Sequence, residues 1–336
     1  MSTSSKVVLA TGASSGLNGD NQRNPLPTTL QTLITYSLPP STRLKPEPPN
    51  NLSLNPSQGF ESVKQLLLDN PEPYTFILGA RDVKRTQAAF DALNFDTAKN
   101  QVHIFPLDLK DLRSVQVFAQ KALEQLGQKT LDFLFLAAGA LDEAKGPASH
   151  GSQWCDGLMV NHLSQHYLIH LIRETLLASK TRVVFVSSGA IRNVRDQDPK
   201  TLDVDLKANS DAGKFPVYCG SKFVQLLGAH YWRRHLPGCT IVAVSPGLVP
   251  DTNLATGMAL SMSMADAKTV PEGAKSLLEA FTRNDIPADP EQIFLTSWGE
   301  WWAKDVYAMS LDTELQDKWC WSREEIEKAE GLAAQS

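Results

Sequence analysis

Two side chains four residues apart carry the first suggestion of chemistry. In the stretch PVYCGSKFV, Tyr218 and Lys222 stand at i and i+4, and on a helix that spacing puts both on one face. An ammonium beside a phenol lowers the phenol's pKa. A tyrosine so placed can give and take a proton near neutral pH. Upstream, in RVVFVSSGA, Ser187 and Ser188 follow an aliphatic run. At the start of the chain, Thr11, Gly12, Ala13, Ser14, Ser15, Gly16 and Leu17 read TGASSGL after another such run. Glycines there let the backbone turn sharply and approach a pyrophosphate, whose charge then sits on the N-terminus of the next helix.

A YxxxK match among six tyrosines is unsurprising by chance, so its meaning depends on the elements that position it. Short β-branched or aliphatic runs at Lys6–Ala10, Tyr74–Gly79, Val102–Leu107, Asp132–Ala137, Thr181–Ser187, Thr240–Ser245 and Gln292–Thr296 read as strands. Several are continuously apolar, as strands covered on both faces must be. Amphipathic stretches such as Asp111–Leu126, Gly157–Ala178 and Val217–Leu236 lie between them. The alternation predicts a single α/β domain of Rossmann type over residues 1–336. Its doubly wound parallel sheet should have about seven strands, in the order 3-2-1-4-5-6-7. Residues 285–336 read as a C-terminal extension packing on that domain.

One segment breaks the rhythm. Residues 18–58 hold eight of the twenty prolines and no sustained period, a composition that cannot fold alone. The helix text resumes at Gly59 with GFESVKQLLLDN. Joined across those 41 residues, the loop reads TGxxxGxG, with Gly12, Gly16 and Gly59 as its glycines. Three readings stay open: a loop, a device that disables or regulates the nucleotide site, and intron sequence carried into the gene model. Transcripts that contain codons 18–58 would eliminate the third.

The rejoined loop, between a first strand and a helix, resembles the short-chain dehydrogenase/reductase family. The later landmarks fit it in order over about Lys6 to Leu254. In FILGARD, Arg81 follows the second strand where an acid would serve the ribose 2′-hydroxyl of NAD; an arginine suits the 2′-phosphate of NADP(H). Asp108 and Leu109 in PLDLKDL match the place where the family holds adenine. In LFLAAG, Leu136 and Ala137 replace the family's two asparagines, which weakens a link between strands, while Ala138 and Gly139 still permit close approach of the cofactor. Pro246, Gly247, Val249 and Thr252 match the segment that faces the nicotinamide carboxamide, with the threonine one position late. Ser14, Ser15 and Leu17 complete the phosphate loop. The C-terminal FLTSWGEWWAKD has a looser likeness to the protochlorophyllide reductase-like branch, without the Cys-Asn that pigment reductases carry after the lysine.

The resemblance implies an NADP(H)-dependent oxidoreductase that reduces a carbonyl or oxidises the alcohol. In it, Tyr218 is the proton donor, Lys222 binds the ribose and lowers the Tyr218 pKa, Ser188 bonds the carbonyl oxygen, and Asn161 of VNHLSQHYL anchors a water chain. The alternative is a catalytically silent NADP(H)-binding protein, motivated by the interrupted loop and the lost asparagines. Substrate-pocket residues are expected near Gly189–Pro216 and after Thr252, and Trp298, Trp301, Trp302, Trp319 and Trp321 either wall a pocket for a bulky apolar compound or dock the tail. His162, His166 and His170 share a helix flank, but no cysteine or carboxylate nearby in sequence completes a metal set, so no metal is expected.

A net charge of −5 and a pI near 5.8 give no electrostatic reason to expect nucleic acid or anionic membrane. Cys155, Cys219, Cys239 and Cys320 have no metal spacing and read as reduced thiols. No apolar run is long enough for a bilayer, and no signal-peptide pattern opens the chain. The expected location is the cytoplasm, and the expected partner a small-molecule carbonyl or alcohol, with a homodimer left open.

Overall fold

The computed structural model of the chain describes residues 5–14, 57–194, 198–252, 254, 255 and 260–332. Seven strands form one parallel sheet: β1 (Lys6–Thr11), β2 (Tyr74–Ala80), β3 (Gln101–Pro106), β4 (Phe133–Leu136), β5 (Arg182–Val186), β6 (Thr240–Val244) and β7 (Phe294–Leu295). Their order is β3-β2-β1-β4-β5-β6-β7, as the alternation of elements predicts. The order reverses between β1 and β4, and at such a switch point the carboxyl ends of the strands open a crevice.

Alternate strand residues feed two separate cores, which is why the strands read as unbroken apolar runs. Val7, Leu9, Leu134, Leu136, Val183 and Phe185 join one cluster. Val8, Ala10, Phe133, Phe135, Val184 and Val186 join the other. Helix α1 (Gln58–Asp69) and the later helix Val270–Thr282 cover the second face with Phe60, Val63, Leu66, Leu277 and Phe281. On the first face lie α2 (Leu112–Leu126), α3 (Ser164–Leu171) and α4 (Lys214–His235).

Three differences from the sequence reading bear on the site, beside shifts at the strand ends. Helix α1 begins at Gln58 rather than Gly59, because Ser57 caps it by accepting the Phe60 N–H at 3.0 Å. Two residues assigned to the insertion therefore belong to the helix start; residues 18–56 lie outside the described residues. The single helix expected over Gly157–Ala178 is broken: a π turn, Met159–Leu163, precedes α3, and Ile172 leaves helical geometry before Arg173–Ser179. A π turn inserts an extra residue and re-aims the side chain it carries, here Asn161. Helix α4 starts three residues earlier than expected, at Lys214.

The C-terminal residues are woven into the first core. Trp319 and Trp321 pack on Trp154, with ring centroids 5.5 and 5.2 Å away. The three histidines are not on an exposed flank: they hold this segment from inside. His162 Nε2 lies 3.0 Å from the Trp319 carbonyl, and His166 Nε2 and His170 Nε2 each lie 2.9 Å from the Trp321 carbonyl. The tail also brings Cys320, distant in sequence, so that one donor atom each from His162, His166 and Cys320 fall within 4.8 Å of one another. The expectation that no cysteine stands near the histidines is thereby corrected. The Nε2 atoms of both histidines are spent on backbone carbonyls, and His166 Nδ1 accepts the Trp232 indole N–H at 2.8 Å.

Burial holds His162 down at about 4, whereas an unfolded histidine titrates near 6.5. Below that value the unfolded chain takes up a proton that the folded chain refuses. Stability is therefore intact above about pH 6.5 and is lost as pH falls toward 4, at up to about 1.4 kcal/mol per pH unit for this group. His162→Gln, which keeps a donor for the Trp319 carbonyl, should shallow that acid limb in urea titrations at pH 7, 6 and 5. An unchanged slope would show that His162 is not the group responsible.

Candidate active site

The crevice begins where β1 turns. Gly12 has φ +72°, and a Cβ there would stand 2.3 Å from the Ala138 nitrogen, so only glycine lets the first loop lie against the end of β4. Gly59 repeats the constraint from α1, since its Cβ would meet the Gly12 carbonyl oxygen at 2.6 Å. The two expected loop glycines in view are thus a packed pair. The Ser57 hydroxyl closes the arrangement at 2.9 Å from the Gly12 carbonyl and 2.7 Å from the Ser14 carbonyl. Nothing in the sequence reading pointed to Ser57. The expected loop residues Ser15, Gly16 and Leu17 lie outside the described residues.

The lost asparagines at Leu136 and Ala137 are partly made good by β1: Ala137 N donates to the Thr11 carbonyl at 3.2 Å, and Ala138 N to Thr11 Oγ1 at 3.4 Å. Arg81 is exposed directly after β2. Asp82, its neighbour, is turned away to cap the next helix, accepting the Arg85 N–H at 3.0 Å. Asp108 accepts the Lys110 N–H at 2.9 Å, and the buried Leu109 gives its carbonyl to the Ser164 hydroxyl at 2.5 Å. Across the crevice, Pro246 and Gly247 leave β6, Val249 and Thr252 are buried, and Thr252 Oγ1 donates to the Val249 carbonyl at 3.2 Å.

The chemistry-bearing side chains meet beside Gly139. A Cβ on that glycine would stand 3.6 Å from Asn161 Oδ1 and 3.7 Å from Lys222 Nζ. Asn161 is fully buried and engaged by protein: Oδ1 accepts the Ala140 N–H at 2.8 Å, and Nδ2 donates to the Ala140 carbonyl at 3.0 Å and the Ser221 hydroxyl at 2.8 Å. Its side chain therefore holds the loop after β4. Tyr218, one turn before Lys222 on α4, has Ser188 near enough for its hydroxyl to bear on the phenol. Ser188 also caps a 3-10 turn, Gly189–Asn193, with its hydroxyl accepting the Ala190 N–H at 3.2 Å.

The electrostatics depart from the simple i, i+4 expectation. Burial pushes the Tyr218 phenol up, and the pull downward comes from the Ser188 hydroxyl. Lys222 is itself driven down to about 7 by burial. Its ammonium is held by the Val186 carbonyl at 2.8 Å and by Gln225 Oε1 at 3.2 Å. Desolvation is the leading influence on both groups. Gln225 and its neighbour Gln165, 3.5 Å apart, escaped the sequence reading because a glutamine on a helix carries no motif.

The five C-terminal tryptophans separate. Trp319 and Trp321 dock the tail, Trp301 packs against the second core, Trp298 is exposed, and Trp302 reaches Gly189, beside Ser188. Among the described residues, no helix is long and apolar enough to cross a membrane.

A parallel sheet with a switch-point loop, and a Ser–Tyr–Lys group on its carboxyl side, define a class that the comparisons identify. The chain matches the short chain dehydrogenase family over residues 59–197, beginning at the glycine where the helix text resumes. It belongs to the short-chain dehydrogenase/reductase family and is an oxidoreductase. Members of that family bind nicotinamide cofactors and act on small molecules.

A short-chain dehydrogenase/reductase of Pestalotiopsis microspora is 58% identical over 273 residues, which cover 80% of this chain and 94% of that protein. Human retinol dehydrogenase 12 is 30% identical over 198 residues, covering 58% of this chain and 59% of its own length. Among solved structures, an uncharacterized protein from Mycobacterium paratuberculosis superposes with a TM-score of 0.61 at 21% identity, over 98% of this chain and 95% of that one. An NADPH-bound carbonyl reductase from chicken fatty liver gives 0.54 at 21% identity, over 75% and 96%. Both are similar in fold.

Proposed function

We propose that the protein reduces a carbonyl group with NADPH, or runs the reverse oxidation, and that Tyr218, Ser188, Lys222 and Asn161 carry the reaction. The observation that carries the reading is the neighbourhood of Ser188 and Tyr218, close enough for the serine hydroxyl to pull the phenol's pKa down, so that the two hydroxyls can address one carbonyl oxygen. Gly12 and Gly139 pack the loops closely around the switch point, where a nicotinamide nucleotide would lie with the exposed Arg81 toward its ribose end. The nucleotide, when bound, supplies hydride to the carbonyl carbon.

The residues of this chain do the rest. Ser188 and Tyr218 hold the carbonyl oxygen, and Tyr218 gives it a proton as negative charge develops there. Burial keeps the phenol protonated through the neutral range, which suits it to the reducing direction. Lys222, poised near neutrality, gains charge when an oxygen-rich ligand reaches it. Asn161 keeps the loop after β4 in place through Ala140. The expected Lys222–ribose contact, the proton relay and the cytoplasmic location belong to this reading, as do Pro246, Gly247, Val249 and Thr252 at the nicotinamide end.

Cofactor choice tests it. A guanidinium makes two charge-assisted bonds to a phosphate and gains far less from a hydroxyl. Such a contact is worth roughly 1.5–3 kcal/mol, about ten- to more than a hundredfold in affinity. NADPH should bind at least about tenfold tighter than NADH, and Arg81→Ala should remove most of the difference. Equal dissociation constants in the unmodified protein would refute the assignment of Arg81. Binding of NADPH without turnover across a broad carbonyl panel would instead favour a silent binding protein.

A further inference from the structure

Four residues after Ser188 stands a cation that no described carboxylate answers. Arg192 lies in the 3-10 turn Gly189–Asn193, exposed to solvent. Its Nε donates to the Gly189 carbonyl at 3.2 Å, and its guanidinium lies over the Trp302 ring, 5.1 Å from the centroid. Trp302 in turn stacks on Phe294 of β7, with centroids 4.5 Å apart and planes 20° apart, and the buried Phe294 faces Tyr307 at 6.2 Å. The guanidinium thus rests on aromatic rings anchored in the sheet. These contacts position the guanidinium before any ligand arrives. A flat fork of N–H donors held in this way matches a carboxylate edge to edge.

The placement relative to the chemistry narrows the ligand. A Cβ on Gly189 would meet Arg192 Nη2 at 3.6 Å and the Trp302 ring at 3.7 Å. Gly189 follows Ser188 in the chain, so the guanidinium lies within roughly 9 Å of the Ser188 backbone. That is the span of one substituted aromatic ring. With a carbonyl oxygen at Ser188 and Tyr218, the far end of a ring-sized substrate comes to Arg192 and its side to the Trp302 edge.

Resting on the reductase reading, the geometry points to Arg192 on its Trp302 platform as a specificity site for a carboxylate. The substrate is a flat, aromatic-sized carbonyl compound with an acidic group at the end away from the reacting C=O.

Full-length protein with NADPH is assayed on 4-carboxybenzaldehyde and on the methyl ester of the same aldehyde, which differ only at the far end, in its charge and one methyl group. The acid should exceed the ester by about tenfold or more in kcat/KM. Arg192→Ala should abolish that preference through KM and leave the ester unchanged, and Arg192→Lys should recover part of it, because the charge returns without the planar stack. Equal kcat/KM for the two aldehydes in the unmodified protein, or an equal loss on both in Arg192→Ala, overturns the inference. If neither aldehyde turns over, that result counts against the reductase reading. Calorimetric binding of the two aldehydes to the protein with NADPH then decides the present one. Tighter binding of the acid, lost in Arg192→Ala, upholds the specificity site, and equal dissociation constants overturn it.

Discussion

Tyr218→Phe is expected to lower kcat/KM for any accepted carbonyl by roughly 10²–10⁴-fold while NADPH binding and thermal stability stay close to those of the unmodified protein. The substitution removes one hydroxyl and keeps the ring, which is 6% exposed and packed within α4, so no cavity opens. The phenol's partner is Ser188, and that serine keeps its bond to the Ala190 N–H, so no buried donor is stranded. What disappears is the acid. Ser188 alone can still grip the carbonyl oxygen, but a serine hydroxyl is too weak an acid to complete the transfer at neutral pH. Steady-state kinetics at saturating NADPH, paired with a fluorescence titration of the cofactor, separates the two effects. Turnover within a few fold of the unmodified protein would remove Tyr218 from the mechanism.

Deleting residues 18–58, so that Leu17 joins Gly59, is expected to raise the melting temperature by roughly 3–10 °C and to tighten NADPH binding. The reason lies at Gln58. Its Nε2 and Oε1 are both buried without a hydrogen-bond partner. The side chain is wedged where a Cβ on Gly273 would meet Gln58 Oε1 at 2.7 Å and Val249 Cγ2 at 2.8 Å. An amide stranded in such a place costs about 1–3 kcal/mol, and each kcal/mol moves the midpoint by about 2–4 °C in a chain of this size range. The join would put the aliphatic side chain of Leu17 there, and would return Gly16 to the helix entry that Ser57 now occupies with a hydroxyl between the Gly12 and Ser14 carbonyls. A glycine at that entry bares the backbone N–H groups to a phosphate. Gln58→Leu in the full chain isolates the amide: it should reproduce part of the thermal gain and little of the gain in affinity. A lower melting temperature after the deletion, or an unchanged dissociation constant for NADPH, would sink this account.

The order of amino acids by itself determined the sheet. Runs such as Val7–Ala10 and Phe133–Leu136 have no polar face, so only burial on both sides accommodates them, and the helical stretches between them allow only parallel crossovers. It also determined where the loop after β1 and the Tyr218–Lys222 turn would lie, because glycine spacing and the i, i+4 rule act over a few residues. Tertiary structure decided everything that joins distant segments. Cys320 reaches His162 and His166 across nearly half the chain because Trp319 and Trp321 are drawn into the first core, and no local pattern records that. The broken helix around Asn161 follows from its bonds to Ala140, a contact between elements. Lys222 was legible as a cation beside Tyr218, but the extent of its desolvation, and its ties to Val186 and Gln225, depend on what the fold places over it. Arg192 reads in sequence as one more surface arginine. It becomes a candidate reader of substrate because β7 carries Trp302 to the residue that follows Ser188. Local periodicity specifies backbone elements, whereas the field and shape at a site are set by side chains that share no period with it.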